Sequence, residues 1–195
     1  MKLLIKKLLR EYYDINDGTY IAYHGSPHKI TKFSDMFVGG DKAKDQEGPG
    51  IYFTTSSDEA MGYAGDNGYV YKVELSVKKL LSNERDSKLN RLSGSVTKLI
   101  KAAPNWKRVA RGYDDDVEEG LSEMVHRYIG MSNSEKEVFI SVFMDVYRSE
   151  PVSYVKNMVK LGYSGVYLPT KNGGAHIVIY SPSSIKIIES NQIKG

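Results

Sequence analysis

The chain contains no cysteine, one tryptophan and only six prolines in 195 residues. The missing cysteine excludes disulfides and thiolate metal sites and is in keeping with a reducing, cytoplasmic setting. No apolar run is long enough to span a bilayer. The opening Met1-Lys2-Leu3-Leu4-Ile5-Lys6-Lys7-Leu8-Leu9-Arg10 is too interrupted by charge for a signal-peptide core. Its spacing instead predicts an amphipathic helix over 2–13 lying on the domain. Neither sign of charge dominates: 27 Lys and Arg stand against 24 Asp and Glu, a net +3. That excess is too weak to argue nucleic-acid binding by itself. There are no internal repeats and no low-complexity segment.

What is present is the composition of a globular chain, with 41% hydrophobic and 26% charged residues. The length fits a single domain over 1–195 with room for a core. The expected fold class is α+β. Strands are predicted over 19–24, 51–54 and 69–75. A short helix is predicted over 58–64, started by the hydroxyls of 54–57. Residues 27–50 read mostly as loop, anchored by Phe33 and Phe37. Residues 82–160 change to helical spacing, at Leu89, Leu92, Val96, Leu99 and Ile100, then Val117, Leu121, Met124, Val125 and Tyr128, then Val138, Phe139, Val142, Phe143, Val146 and Tyr147. This stretch is expected to be a helical insertion. A last helix near Pro151 stops at Gly162, and strands return at 163–168 and 176–180. Lys98, Lys101, Lys107, Arg108 and Arg111 cluster beside Trp106. Such a group could hold phosphates, but a solvated hairpin with Trp106 in the core is the expectation preferred here.

Chemistry concentrates between Tyr23 and Ala64. A strand ends in Tyr23-His24-Gly25-Ser26-Pro27-His28. A Gly48-Pro49-Gly50 turn leads into Ile51-Tyr52-Phe53-Thr54, and Tyr63 follows Tyr52 eleven residues on. This order resembles the ADP-ribosyltransferase superfamily, in its diphtheria-toxin and poly(ADP-ribose)-polymerase-like branch, and is similar to small bacterial or phage domains of that kind. The resemblance implies a split, mostly antiparallel sheet with an NAD cleft. It implies that Tyr52 and Tyr63 sandwich the nicotinamide, as flat electron-rich rings suit a cationic ring. It implies that His24 binds the adenosine ribose, and that Gly25 with Ser26 offers backbone groups to the carboxamide. Ala60 stands where the family places a hydroxyl residue that also meets the carboxamide, so one hydrogen bond is missing there.

The ends of the chain match and the helical middle does not. Near the C-terminus, Gly162-Tyr163-Ser164-Gly165 and the strand before Pro182 resemble the family's closing segment. There the family carries a Glu that stabilises positive charge in the transition state. Alignment on Pro182 puts His176 at that place. The implied catalytic set is His24, Tyr52 and His176, with NAD as co-substrate and no metal. His24 and His28 have i,i+4 spacing, but Pro27 makes a helical metal pair unlikely. Lacking the Glu, the chain reads as a mono-ADP-ribosyltransferase rather than a polymer builder, or as one that takes a carboxylate from elsewhere. On this alignment, His176→Glu should restore the charge. The loop 170–175 falls where relatives meet their targets. A protein acceptor is preferred to a nucleic acid. Two other readings stay open: a non-enzymatic NAD- or ADP-ribose-binding module, and a relative that modifies nucleic acid.

Overall fold

The computed structural model describes residues 18–35, 38 and 48–193. The expected helix over 2–13 and the anchor Phe37 lie outside these residues. Strand β1 (Gly18–Ser26) is followed by β2 (Ile51–Thr54), helix α1 (Ser57–Ala64), β3 (Tyr69–Val77) and β4 (Leu80–Ser82). A 3-10 turn (Leu89–Leu92) opens the helical stretch of α2 (Ser93–Lys101), α3 (Trp106–Ala110), α4 (Val117–Met131), α5 (Glu135–Val142) and α6 (Pro151–Lys160). Strands β5 (Gly165–Pro169), β6 (Ala175–Ile179) and β7 (Ile185–Gln192) close the chain. The fold is α+β, with one seven-stranded sheet in the order β4-β5-β6-β2-β1-β3-β7. Only β4 and β5 run parallel.

The sheet is a pair of half-sheets. β1 pairs with β3 along its whole length, from Gly18 opposite Val77 to Ser26 opposite Tyr69. β2 pairs with β6 from Ile51 opposite Ile179 to Thr54 opposite His176. Between β1 and β2 the register is a single pair, Tyr23 with Thr54. The two halves therefore meet at one point and diverge.

Local signals explain most elements. The Asp run at 114–116 is a helix start: Asp116 caps α4 by accepting from the backbone of Glu118 and Glu119. Ser134 caps α5 through Glu137, and Pro151 occupies the first turn of α6, where no donor is lost. Gly162, with φ of 90°, ends that helix. The periodic residues of the helical stretch are buried as expected, among them Val96, Leu99, Met124, Phe139 and Phe143. After Val142 the helix widens into a π turn (Phe143–Tyr147), which the spacing alone does not reveal. Strand β4 is likewise absent from the sequence reading, because three residues carry no alternation. Buried tyrosines tie the helices together: Tyr147 donates to the Leu99 carbonyl at 2.6 Å and Tyr154 to that of Phe139 at 3.1 Å. The helical stretch is fastened to the sheet at Glu135, whose carboxylate accepts from Tyr163 at 2.6 Å and Lys79 at 3.3 Å.

Two glycines separate the sheet's demands from those of the helices. A Cβ on Gly165 would lie 1.8 Å from the Val178 carbonyl oxygen, while one on Gly94 in α2 would meet nothing within 4 Å. Gly94→Ala is expected to raise stability by about 0.5–1 kcal/mol, because Gly loses more backbone freedom in a helix. Gly165→Ala should lower it by about 1–3 kcal/mol or prevent folding. Urea unfolding of both variants checks the contrast.

Candidate functional site

Helix α1 is laid directly on β1. A Cβ on Gly25 would sit 1.8 Å from the Ala60 carbonyl oxygen and 2.8 Å from the Ala64 nitrogen. Ala60 and Ala64 are both buried in that contact. The glycine after His24 therefore admits a helix, a tighter demand than the ligand approach expected from sequence. Ala60 faces β1, and its side chain is fully buried. Ser26 is buried too, its hydroxyl accepting from the His28 backbone at 3.1 Å.

With Ala60 and Ala64 turned inward, Glu59 and Tyr63 share another stripe of the same helix, four residues apart. Tyr63 is 63% exposed. Tyr52 is half-buried on β2, and its hydroxyl donates to the Gly48 carbonyl. The Gly-Pro-Gly turn thus fixes the ring it precedes.

Glu59 is the residue that sequence reasoning missed. One carboxylate oxygen accepts from the Thr54 hydroxyl at 2.5 Å, and the other lies 2.6 Å from His176 Nε2. The meeting follows from register, since Thr54 and His176 are cross-strand partners on β2 and β6. Partial burial alone would raise the Glu59 pKa. The Thr54 hydroxyl and His176 outweigh it and hold the carboxyl below its ordinary 4.5. The N-terminal turn of α1 favours the anion as well. The signal in sequence was weak: an acid four residues before Tyr63, inside a Ser56-x-x-Glu59 pattern that reads as a helix cap.

His24 sits differently. Its ring packs edge-on to Phe33 at 5.1 Å and against Phe53 at 5.6 Å. Phe53 alternates with Tyr52 and Thr54 along β2, so His24 approaches the split from the core face, while Glu59, Thr54 and His176 meet on the other. His24 Nδ1 lies 2.7 Å from the Tyr52 carbonyl oxygen. That carbonyl can only accept, so Nδ1 carries the proton and Nε2 the lone pair. The side chain spans the gap where the β1–β2 ladder has ended. Burial lowers the His24 pKa below 6.5, against a smaller opposite pull from the Tyr52 carbonyl.

The remaining candidates lie apart from this group. Lys101 and Lys107 place their amino groups 5.4 and 5.8 Å from the centre of the Trp106 ring, and Lys101 pairs with Glu118 at 2.9 Å. Trp106 is partly buried against the core, in line with the solvated-hairpin expectation. The loop after β5 runs beside the site. Thr170 donates its backbone to Gly174 at 2.8 Å, and Ala175 donates to the Thr55 hydroxyl at 2.8 Å. Among the described residues, no group of three His, Cys, Asp or Glu could hold a metal ion. No helix among them is long and apolar enough to cross a membrane.

The His24 geometry has a stability consequence. A His whose folded pKa is depressed takes up its proton first in the unfolded chain. Its contribution is complete above pH 6.5 and is lost as pH falls from there through the folded value. Gln at position 24 keeps a donor for the Tyr52 carbonyl but does not titrate. Between about pH 7.5 and 5.5, wild-type urea midpoints should fall more steeply than those of His24→Gln.

Comparison with known proteins agrees with this architecture. The family described as ADP-ribosyltransferase in polyvalent proteins matches residues 16–194. No curated protein matches the chain. A solved structure described as the crystal structure of an anti-CRISPR protein aligns with a TM-score of 0.41 at 14% identity, covering 92% of this chain and 100% of that one. A likeness at that level carries no argument. The family match spans β1 to β7 with the helical stretch between them, and the chain belongs to the family described as ADP-ribosyltransferase in polyvalent proteins.

Proposed function

We propose that the protein transfers a single ADP-ribose unit from NAD to a macromolecular acceptor and releases nicotinamide. The observation that carries this reading is the shared stripe of α1, where the exposed ring of Tyr63 stands one helical turn from the carboxylate of Glu59. NAD presents a flat cationic ring beside the ribose carbon that becomes positive. An aromatic face suits the first, and a fixed negative charge suits the second. Tyr52, steadied by Gly48, supplies the second aromatic wall. His24 acts from the core face, where its bond to the Tyr52 carbonyl fixes the strand that carries this ring. Gly25 and Ala60 set how closely α1 lies on β1, with the buried Ser26 beside them, and so hold the helix that carries Tyr63 and Glu59.

Transfer of one unit is favoured over polymer growth because the second residue of β6 is His176 and not an acid. The loop around Gly173 is closed by its own backbone bonds and adjoins the site through Thr55. We assign it to the acceptor side, with protein preferred to nucleic acid. The reading needs no metal.

Incubation with labelled NAD and a cell lysate should yield labelled macromolecules together with free nicotinamide. Release of neither would end the proposal. Tyr63→Ala should weaken NAD by about 2- to 30-fold, the range of a ring–cation contact of 0.5–2 kcal/mol. Because the ring is exposed, its unfolding midpoint should hardly change. Calorimetry and urea unfolding on the same variant check both halves.

A further inference from the structure

We propose that Glu59, a residue of helix α1, supplies the negative charge for the transfer step, and that His176 of β6 positions it. This rests on the transferase reading and names the residue on which its chemistry turns.

The ordinary role for Glu59 is a helix cap. In a Ser-x-x-Glu box the Ser hydroxyl accepts from the Glu backbone, and the Glu side chain reaches back to the Ser backbone. Only the first half is made: Glu59 N–H donates to the Ser56 hydroxyl at 3.3 Å. The Ser56 N–H is taken instead by the Thr54 hydroxyl oxygen at 3.1 Å. The Thr54 hydroxyl in turn donates a hydrogen bond to Glu59 at 2.5 Å. The carboxylate is thus turned away from its own helix end and held toward β2 and β6. Its other oxygen is fixed by His176. A surface ion pair contributes little to stability, and capping needs neither the hydroxyl nor the imidazole. Both side chains stay reachable from solvent, Glu59 at 34% and His176 at 27% exposure.

The step balances without further reactants. The bond between ribose C1′ and the nicotinamide nitrogen breaks, and its electron pair stays on nitrogen, so nicotinamide leaves neutral. The ribose carbon and ring oxygen share the positive charge, which Glu59 faces. An acceptor oxygen or nitrogen bonds to C1′ and gives up its proton to solvent. With water as acceptor the product is ADP-ribose. A neutral His176 that donates to Glu59 leaves the pair its full negative charge.

This pairing changes the expectation for His176→Glu. A second carboxylate would stand beside Glu59, where two like charges cannot both ionise fully. The added charge becomes useful only once Glu59 is neutral.

The test measures nicotinamide release and calorimetric NAD affinity for wild type, Glu59→Gln, His176→Gln and the double variant E59Q/H176E. Glu59→Gln should lower kcat about a hundredfold, as for loss of one charge-stabilising group, with little change in NAD affinity. His176→Gln, which can still donate to Glu59, should keep kcat within about tenfold. The double variant should regain at least about tenfold over Glu59→Gln, because a charged acceptor is restored to the pair. If wild type releases nicotinamide and Glu59→Gln matches its kcat, the assignment falls and the transferase reading stands. If wild type releases none, both fall. Should Glu59→Gln fail to fold, Glu59→Ala decides: a folded variant with the wild-type kcat overturns the assignment.

Discussion

Everything at the site depends on the parting of β1 from β2 after the single pair Tyr23–Thr54. A continuous ladder there would satisfy the backbone and close the surface. Parting leaves polar groups that need partners, since a buried carbonyl without a donor is costly. The chain answers with a side chain, and the His24 imidazole takes the Tyr52 carbonyl. The same parting makes room for α1, whose approach to β1 is so close that only glycine fits at position 25. Helix placement, ring tautomer and strand divergence are one arrangement.

Electrostatics at the site follow from that placement. Seating Ala60 and Ala64 against β1 turns Glu59 toward β2 and β6. Thr54 serves as relay, accepting from Ser56 and donating to Glu59. A hydroxyl can do both at once, which a carboxamide or an apolar residue at 54 could not do in the same space. The carboxylate therefore stays ionised while only partly buried, with its two oxygens held from two different strands.

The residues most legible in the sequence were those whose meaning is local. His24-Gly25 at a strand end, the Gly48-Pro49-Gly50 turn and the interval from Tyr52 to Tyr63 are short-range patterns, and the elements formed around them as expected. The helices of the middle stretch were legible because their apolar residues recur at helical spacing for three successive runs. Glu59 was not legible, because its importance comes from a cross-strand register that joins residues 54 and 176. One acid in a helix's first turn has an ordinary explanation, and nothing nearby in the chain contradicts it. The π turn at 143–147 and the short β4 were hidden for a similar reason: packing, not pattern, sets them. His24 was recognised by its neighbours, but its bond to a distant carbonyl and its position on the core face required the fold.

The two half-sheets also differ in how they can be made. β1 and β3 lie close in sequence, and their pairing closes a modest loop. Among the described residues, β2 meets β1 at one pair and otherwise pairs with β6, and β4 pairs with β5, so both strands need a partner beyond the whole helical stretch. Contacts between distant segments form late, because the chain between them must be ordered or spanned first. His176 rides on one of those last strands. A nascent chain would thus carry its aromatic residues and Glu59 long before the imidazole arrives to fix the carboxylate. Synthesis must pass the whole helical stretch and reach β6 before the site can exist, and that delay is written into strand order.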